Sequence, residues 1–138
     1  MKRGEAQKKK LNEYRYIREN IEELENRLAE VDARFTKITQ SFESSPQGNE
    51  HKDKMAEMVA AKEDLENEIN LEVIRSWVKM KEIEKTIEEL SEEDKRLMRL
   101  RYINCLTWEQ VCVTMCYGWD AVHYKHRKIL QEIRNQGF

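Results

Sequence analysis

The stretch that decides the fold is Leu106-Thr-Trp-Glu-Gln-Val-Cys-Val-Thr-Met-Cys-Tyr-Gly-Trp-Asp-Ala-Val-His-Tyr-Lys-His-Arg-Lys-Ile-Leu-Gln-Glu-Ile133. Thr107 has the side chain to cap a helix start, and Gln110, three residues on, supplies the return half of a capping box. Trp108, Val111, Cys112 and Met115 then share one helical face. This spacing predicts a short amphipathic helix that gives way at Cys116-Tyr117-Gly118. A second, longer helix begins at Gly118, with Val122, His126, Ile129 and Ile133 as its inward stripe and His126 as a core histidine. Two helices joined by so tight a turn suggest a helix-turn-helix.

The finer spacing fits that motif, which needs a small residue midway along its first helix, a tight turn four residues later and an apolar anchor six after that. Cys112, Cys116 and Val122 occupy those places. Cys112 permits close helix contact, and Val122 seats the second helix, which in such motifs lies in the DNA major groove. A side chain in a left-handed turn costs roughly 1 kcal/mol or more, so relief of the Cys116 turn through Gly118 is expected. A helical hairpin that only packs would share this spacing.

With the stripe inward, Asp120, His123, Tyr124 and Arg127 face outward and are the base-reading candidates. Arg127 suits guanine or a phosphate, His123 and Tyr124 donate hydrogen bonds or pack on a thymine methyl, and Asp120 accepts from cytosine or orients a neighbour. Lys125, Lys128 and Arg101 are assigned to DNA phosphates. Trp119, at the helix tip, either presses on the sugar-phosphate edge or packs on the turn.

Upstream, Ser91-Glu-Glu-Asp94 has the form of another capping box. The helix it starts carries Leu97, Met98, Leu100 and Ile103 inward and Lys95, Arg96, Arg99 and Arg101 outward, completing a three-helix domain over 91–138. Ahead of it, Tyr14, Ile17, Ile21, Leu24, Leu28, Val31, Phe35, Ile38 and Phe42 alternate spacings of three and four, the 3.5-residue period of a coiled-coil seam. Pro46 and Gly48-Asn49 place a hairpin tip at about 43–51. A second helix follows from Lys52 to Leu90, with Met55, Met58, Leu65, Ile69, Val73, Met80, Ile83, Ile87 and Leu90 apolar. Each helix spans roughly 57 Å at 1.5 Å per residue, and matched lengths favour an antiparallel coiled-coil hairpin over 1–90.

Within that second seam the steps Leu65 to Ile69 to Val73 form a stutter, and Lys62, Glu72 and Ser76 stand where a strict heptad wants apolar side chains. Ile74 and Trp77 add apolar surface beyond what one seam buries. They are expected either to meet the folded-back motif domain or to form an oligomer interface in a homodimer or higher assembly. The leader Met1–Lys10, with five bases against one acid, is expected to fray; its bases are either solvated or touch phosphates.

Asp94-Lys-Arg-Leu-Met-Arg-Leu-Arg-Tyr-Ile-Asn-Cys-Leu-Thr-Trp-Glu-Gln-Val111 resembles the start of region 4 of bacterial sigma factors, where a Leu-Arg-Tyr helix leads through a Leu-Thr turn into the motif. Here these are Leu100-Arg101-Tyr102 and Leu106-Thr107. With the long helical segment broken at Ser-Ser-Pro-Gln-Gly-Asn, the whole chain is similar to small phage and prophage sigma-like regulators of the RinA and ArpU type. Where primary sigma factors begin the recognition helix with Arg-Glu-Arg, this chain has Trp119-Asp120-Ala121. The resemblance implies a DNA-binding regulator that activates phage or prophage late genes in contact with bacterial RNA polymerase.

Charged residues make up 38% of the chain, with one Pro and four Gly, which favours long solvated helices over a sandwich or barrel. The net charge of −2 divides along the chain into +4 over residues 1–10, −8 over 11–90 and +2 over 91–138. A mildly basic motif beside an acidic arm fits contact with double-stranded DNA at one end. No apolar run reaches the ~18 residues of a membrane span, and no signal-peptide series is present. A cytoplasmic protein with no membrane contact is expected, and Cys105, Cys112 and Cys116 suit reduced thiols.

Cys112, Cys116, His123 and His126 are possible soft-metal ligands, but the gap between the two pairs is far shorter than in a zinc finger. No metal or other cofactor is expected. Nothing orients a Cys and His pair for nucleophilic chemistry, so no enzyme activity is expected. The fold class expected is all-α: a long antiparallel hairpin, then a helix-turn-helix domain. Two alternatives to a regulator stay open: an oligomeric packaging adaptor like a small terminase subunit, and a polymerase-binding module that does not read DNA.

Overall fold

A computed structural model describes residues 4–43 and 48–138, apart from the side chain of Asn49. Among the described residues the chain is helical, with no strand. Its order is α1 (Glu5–Glu43), α2 (Asn49–Glu88), α3 (Glu92–Met98), a π-helical turn (Arg99–Ile103), α4 (Trp108–Met115) and α5 (Trp119–Asn135). Neither long helix has an interior Gly or Pro, and pairs such as Arg15–Glu19 and Arg34–Glu30 support α1 at helical spacing. The two pack against each other as an antiparallel hairpin. The expected tip centres on residues 44–47, which lie outside the described residues. α2 starts at Asn49, earlier than the Lys52 expected, because the Lys52 amide already donates to the Gly48 carbonyl at 3.2 Å.

Contacts divide the chain into two compact units. One takes in Asn20–Trp77, the distal part of both long helices. Here Ile21, Leu24, Ile69 and Val73 are buried, while Leu28, Val31, Phe35, Met55 and Met58 are only half-buried. The register of α2 differs from expectation: Glu66, half-buried, takes the seam position, and Leu65 is exposed. Lys62 explains the difference. Its ammonium pairs with Asp32 on α1 at 3.2 Å and with Glu66 at 2.9 Å, and lies 4.9 Å from the Phe35 ring centre. The stutter therefore runs Met58, Lys62, Glu66 rather than through Leu65. Ser76 is buried and accepts a hydrogen bond from Asn20, whereas Glu72 is exposed.

The other unit joins the chain through Glu19 with Val78–Phe138. Its core draws Leu11 and Tyr14 from α1, Ile83 and Ile87 from α2, Leu90, Leu97, Met98 and Tyr102, Val111 from α4, and Val122, Ile129, Leu130 and Ile133 from α5. Each fully buried Leu or Ile contributes on the order of 1.5–3 kcal/mol relative to exposure.

The amino end corrects the expectation of fraying for residues 4–10. Gln7 is 8% exposed and Leu11 fully buried, and Gly4, at φ +85°, lies against Leu130 so closely that an added Cβ would sit 3.2 Å from it. Lys10 reaches the Phe138 carbonyl at 3.4 Å.

Ser91 precedes α3 but makes no side-chain cap bond, contrary to the expected box. Glu92, Glu93 and Asp94 still fill the first turn, where the helix dipole favours acids. After Met98 the backbone widens: the Asn104 amide donates to the Arg99 carbonyl at 2.8 Å, and Cys105, at φ 57°, ends the turn.

Candidate nucleic-acid interface

α4 starts as the sequence predicts. The Thr107 hydroxyl accepts from the Gln110 amide at 3.2 Å, and the Gln110 side chain accepts from the Thr107 amide at 2.9 Å. Its end departs in one respect: Cys116 itself takes the left-handed conformation, at φ 59° and ψ 36°, while Gly118 is extended at φ −72°. The turn is thus not relieved through Gly118. The Cys116 amide donates to the Val113 carbonyl at 3.3 Å and the Tyr117 amide to the Cys112 carbonyl at 3.1 Å, bonds that close the helix end.

α5 then presents one buried and one solvated side. Val122, His126, Ile129, Leu130 and Ile133 are buried, as the stripe predicts, with Leu130 added. Asp120, Tyr124, Arg127 and Lys128 are exposed along the opposite side, and Gln131 continues the same face one turn beyond Arg127. Gln131 was legible at this spacing and belongs with the candidates. The Lys128 ammonium lies 4.8 Å from the Tyr124 ring centre, which turns both toward solvent as a unit.

The remaining sequence-predicted residues have partners inside the domain. His123 is half-buried, its ring 4.2 Å from Trp119 and 4.7 Å from Trp108 between ring centres, with Nδ1 2.9 Å from the Trp119 carbonyl. Trp119 remains 52% exposed on the outer end of that stack. On its inner side, Trp108 meets His126 edge-on at 4.6 Å, and His126 meets Tyr102. Periodicity misses this row of rings because it identifies the inward face but not the neighbour at its flank.

Lys125, on the other flank of α5, donates to Glu93 at 2.7 Å and covers the Tyr117 ring, whose hydroxyl also donates to Glu93. These bonds hold the Glu93 carboxyl below its ordinary range and raise Lys125 above its own. Arg101, expected outward, donates to the Leu106 carbonyl at 2.9 Å and stacks over Trp108. The site is thus an exposed face of Asp120, Tyr124, Arg127, Lys128 and Gln131, flanked by Trp119 and by the Lys125–Glu93 pair.

Burial lowers His126 to about 3 and raises Tyr102 to about 12, so both are neutral across the physiological range. Among the described residues no three His, Cys, Asp or Glu side chains converge as metal ligands, and no helix is long and apolar enough to cross a membrane.

No curated protein and no solved structure matches the chain. A family model described as a protein of unknown function, DUF1492, matches residues 36–133, and the chain belongs to that family.

Proposed function

We propose that this protein is a DNA-binding transcriptional regulator whose α5 enters the major groove. The observation that carries the proposal is the solvated face of α5: Tyr124, Arg127 and Lys128 stand out together, on a helix seated by a buried stripe and entered through a left-handed turn. Tyr124 and Arg127, with Asp120, have the chemistry to read base edges, and His123 reaches them from the flank. Lys128 suits a phosphate, with Trp119 against the sugar-phosphate edge. Lys125 joins it by exchanging Glu93 for a phosphate oxygen.

The resemblance to sigma region 4 narrows the role to activating phage or prophage late genes in the cytoplasm, acting with bacterial RNA polymerase. No catalytic step belongs to this role. Selection of bound fragments from random DNA tests it: enrichment of a defined sequence supports base reading, and no enrichment counts against it.

One observation favours a second function, capture of polymerase without reading DNA. Lys125 and Arg101, two cations expected at phosphates, already hold Glu93 and the Leu106 carbonyl. Retention of polymerase by the protein, with no sequence enriched from random DNA, would mark that function.

A further inference from the structure

α2 is apolar on more than the side that meets α1. Ile69, Val73 and Ser76 are buried in the seam, yet Leu71, Ile74 and Trp77 are 49%, 56% and 49% exposed within two turns. At 3.6 residues per turn, Leu71 and Ile74 point away from Val73, and Trp77 lies on the adjoining flank. A helix with apolar side chains on two sides leaves one wet unless another surface covers it.

The charges beside this patch identify what covers it. Glu68 and Arg75 lie on the same edge, about two turns and ~10.5 Å apart along the axis, too far to pair with each other. Both are exposed, and among the described residues neither has an ion-pair partner. Glu63, Asp64 and Glu68 make the exposed approach to Leu71 acidic, and Arg75 follows Ile74. A two-fold axis across the helix between Leu71 and Glu72 brings each Glu68 onto the partner's Arg75, two contacts in all. Parallel pairing would set Glu68 on Glu68 and Arg75 on Arg75.

We propose that this face of α2 binds a second copy of the chain, antiparallel, about a two-fold axis beside Leu71. Leu71, which meets its own copy at the axis, and Ile74 beside it supply the desolvated centre, and the two Glu68–Arg75 contacts along its edge select orientation more than affinity. A two-fold protein also matches paired half-sites on DNA. The interface itself requires no DNA and is tested without it, so its failure leaves the base-reading proposal untouched.

The test is sedimentation of the full chain at tens of micromolar. Wild type should run as a dimer and Ile74→Asp as a monomer, with the helical circular dichroism of both alike. Glu68→Arg and Arg75→Glu should each weaken the dimer about tenfold or more, and the double reversal should restore it. A wild-type monomer, or a dimer that survives Ile74→Asp, overturns the interface. Single reversals without effect, or a double reversal that fails to restore association, overturn the antiparallel pairing.

Discussion

The Tyr102 hydroxyl and Nε2 of His126 lie 2.6 Å apart, hydrogen-bonded at 5% and 3% exposure. This bond ties the π-helical turn to the helix proposed to meet DNA, through a polar link inside an apolar core. Tyr102→Phe would leave the imidazole nitrogen unpaired, at a cost of about 1–3 kcal/mol. Urea unfolding should register that loss, and an unchanged midpoint would show that the link contributes no stability.

The same histidine makes stability depend on pH. Burial lowers His126 from its ordinary 6.5 to about 3, so between these values the unfolded chain takes up the proton and the folded chain does not. Its neutral state therefore favours folding fully above about pH 6.5, and that advantage declines as pH falls toward 3. At pH 5 the loss is roughly 2 kcal/mol relative to neutral pH. The stability difference between wild type and His126→Gln should narrow by this amount on moving from pH 7.5 to pH 5. A constant difference would contradict the assignment.

Leu11, near the chain start, is fully buried with α5 residues in one core. Leu11→Ala should cost about 2–5 kcal/mol, and the tryptophan fluorescence transition of the motif domain should shift with it. A variant as stable as wild type would mean that the amino end is not docked there.

The α2 register makes a paired prediction. Leu24→Asp puts a charge into the seam and should cost several kcal/mol, whereas Leu65→Asp, at a position 39% exposed, should cost clearly less, about 1 kcal/mol. Equal melting losses for the two variants would favour Leu65 over Glu66 as the seam residue.

The sequence was most legible where a period and a cap act together. Thr107 and Gln110 mark the start of α4, and Val122, His126, Ile129 and Ile133 mark the inward side of α5, because these are local signals. Positions fixed by a distant partner were hidden. Leu11 sits one step before the seam that begins at Tyr14, but Lys8, Lys9 and Lys10 give its surroundings the composition of a solvated leader. Glu66 looks like a surface acid until Lys62 bridges it to Asp32. Lys125 and Arg101 look like free cations until Glu93 and the Leu106 carbonyl are brought beside them.

Base reading by α5 is tested most directly by fluorescence anisotropy on a selected site and on random DNA, at several salt concentrations. Arg127→Ala should cost roughly 1–3 kcal/mol on the selected site and little on random DNA. Lys128→Ala should weaken binding to both and lower the salt slope by about one, because one fewer counterion is released. Wild-type protein that binds both DNAs equally, with Arg127→Ala indistinguishable from it, would contradict base reading by this helix.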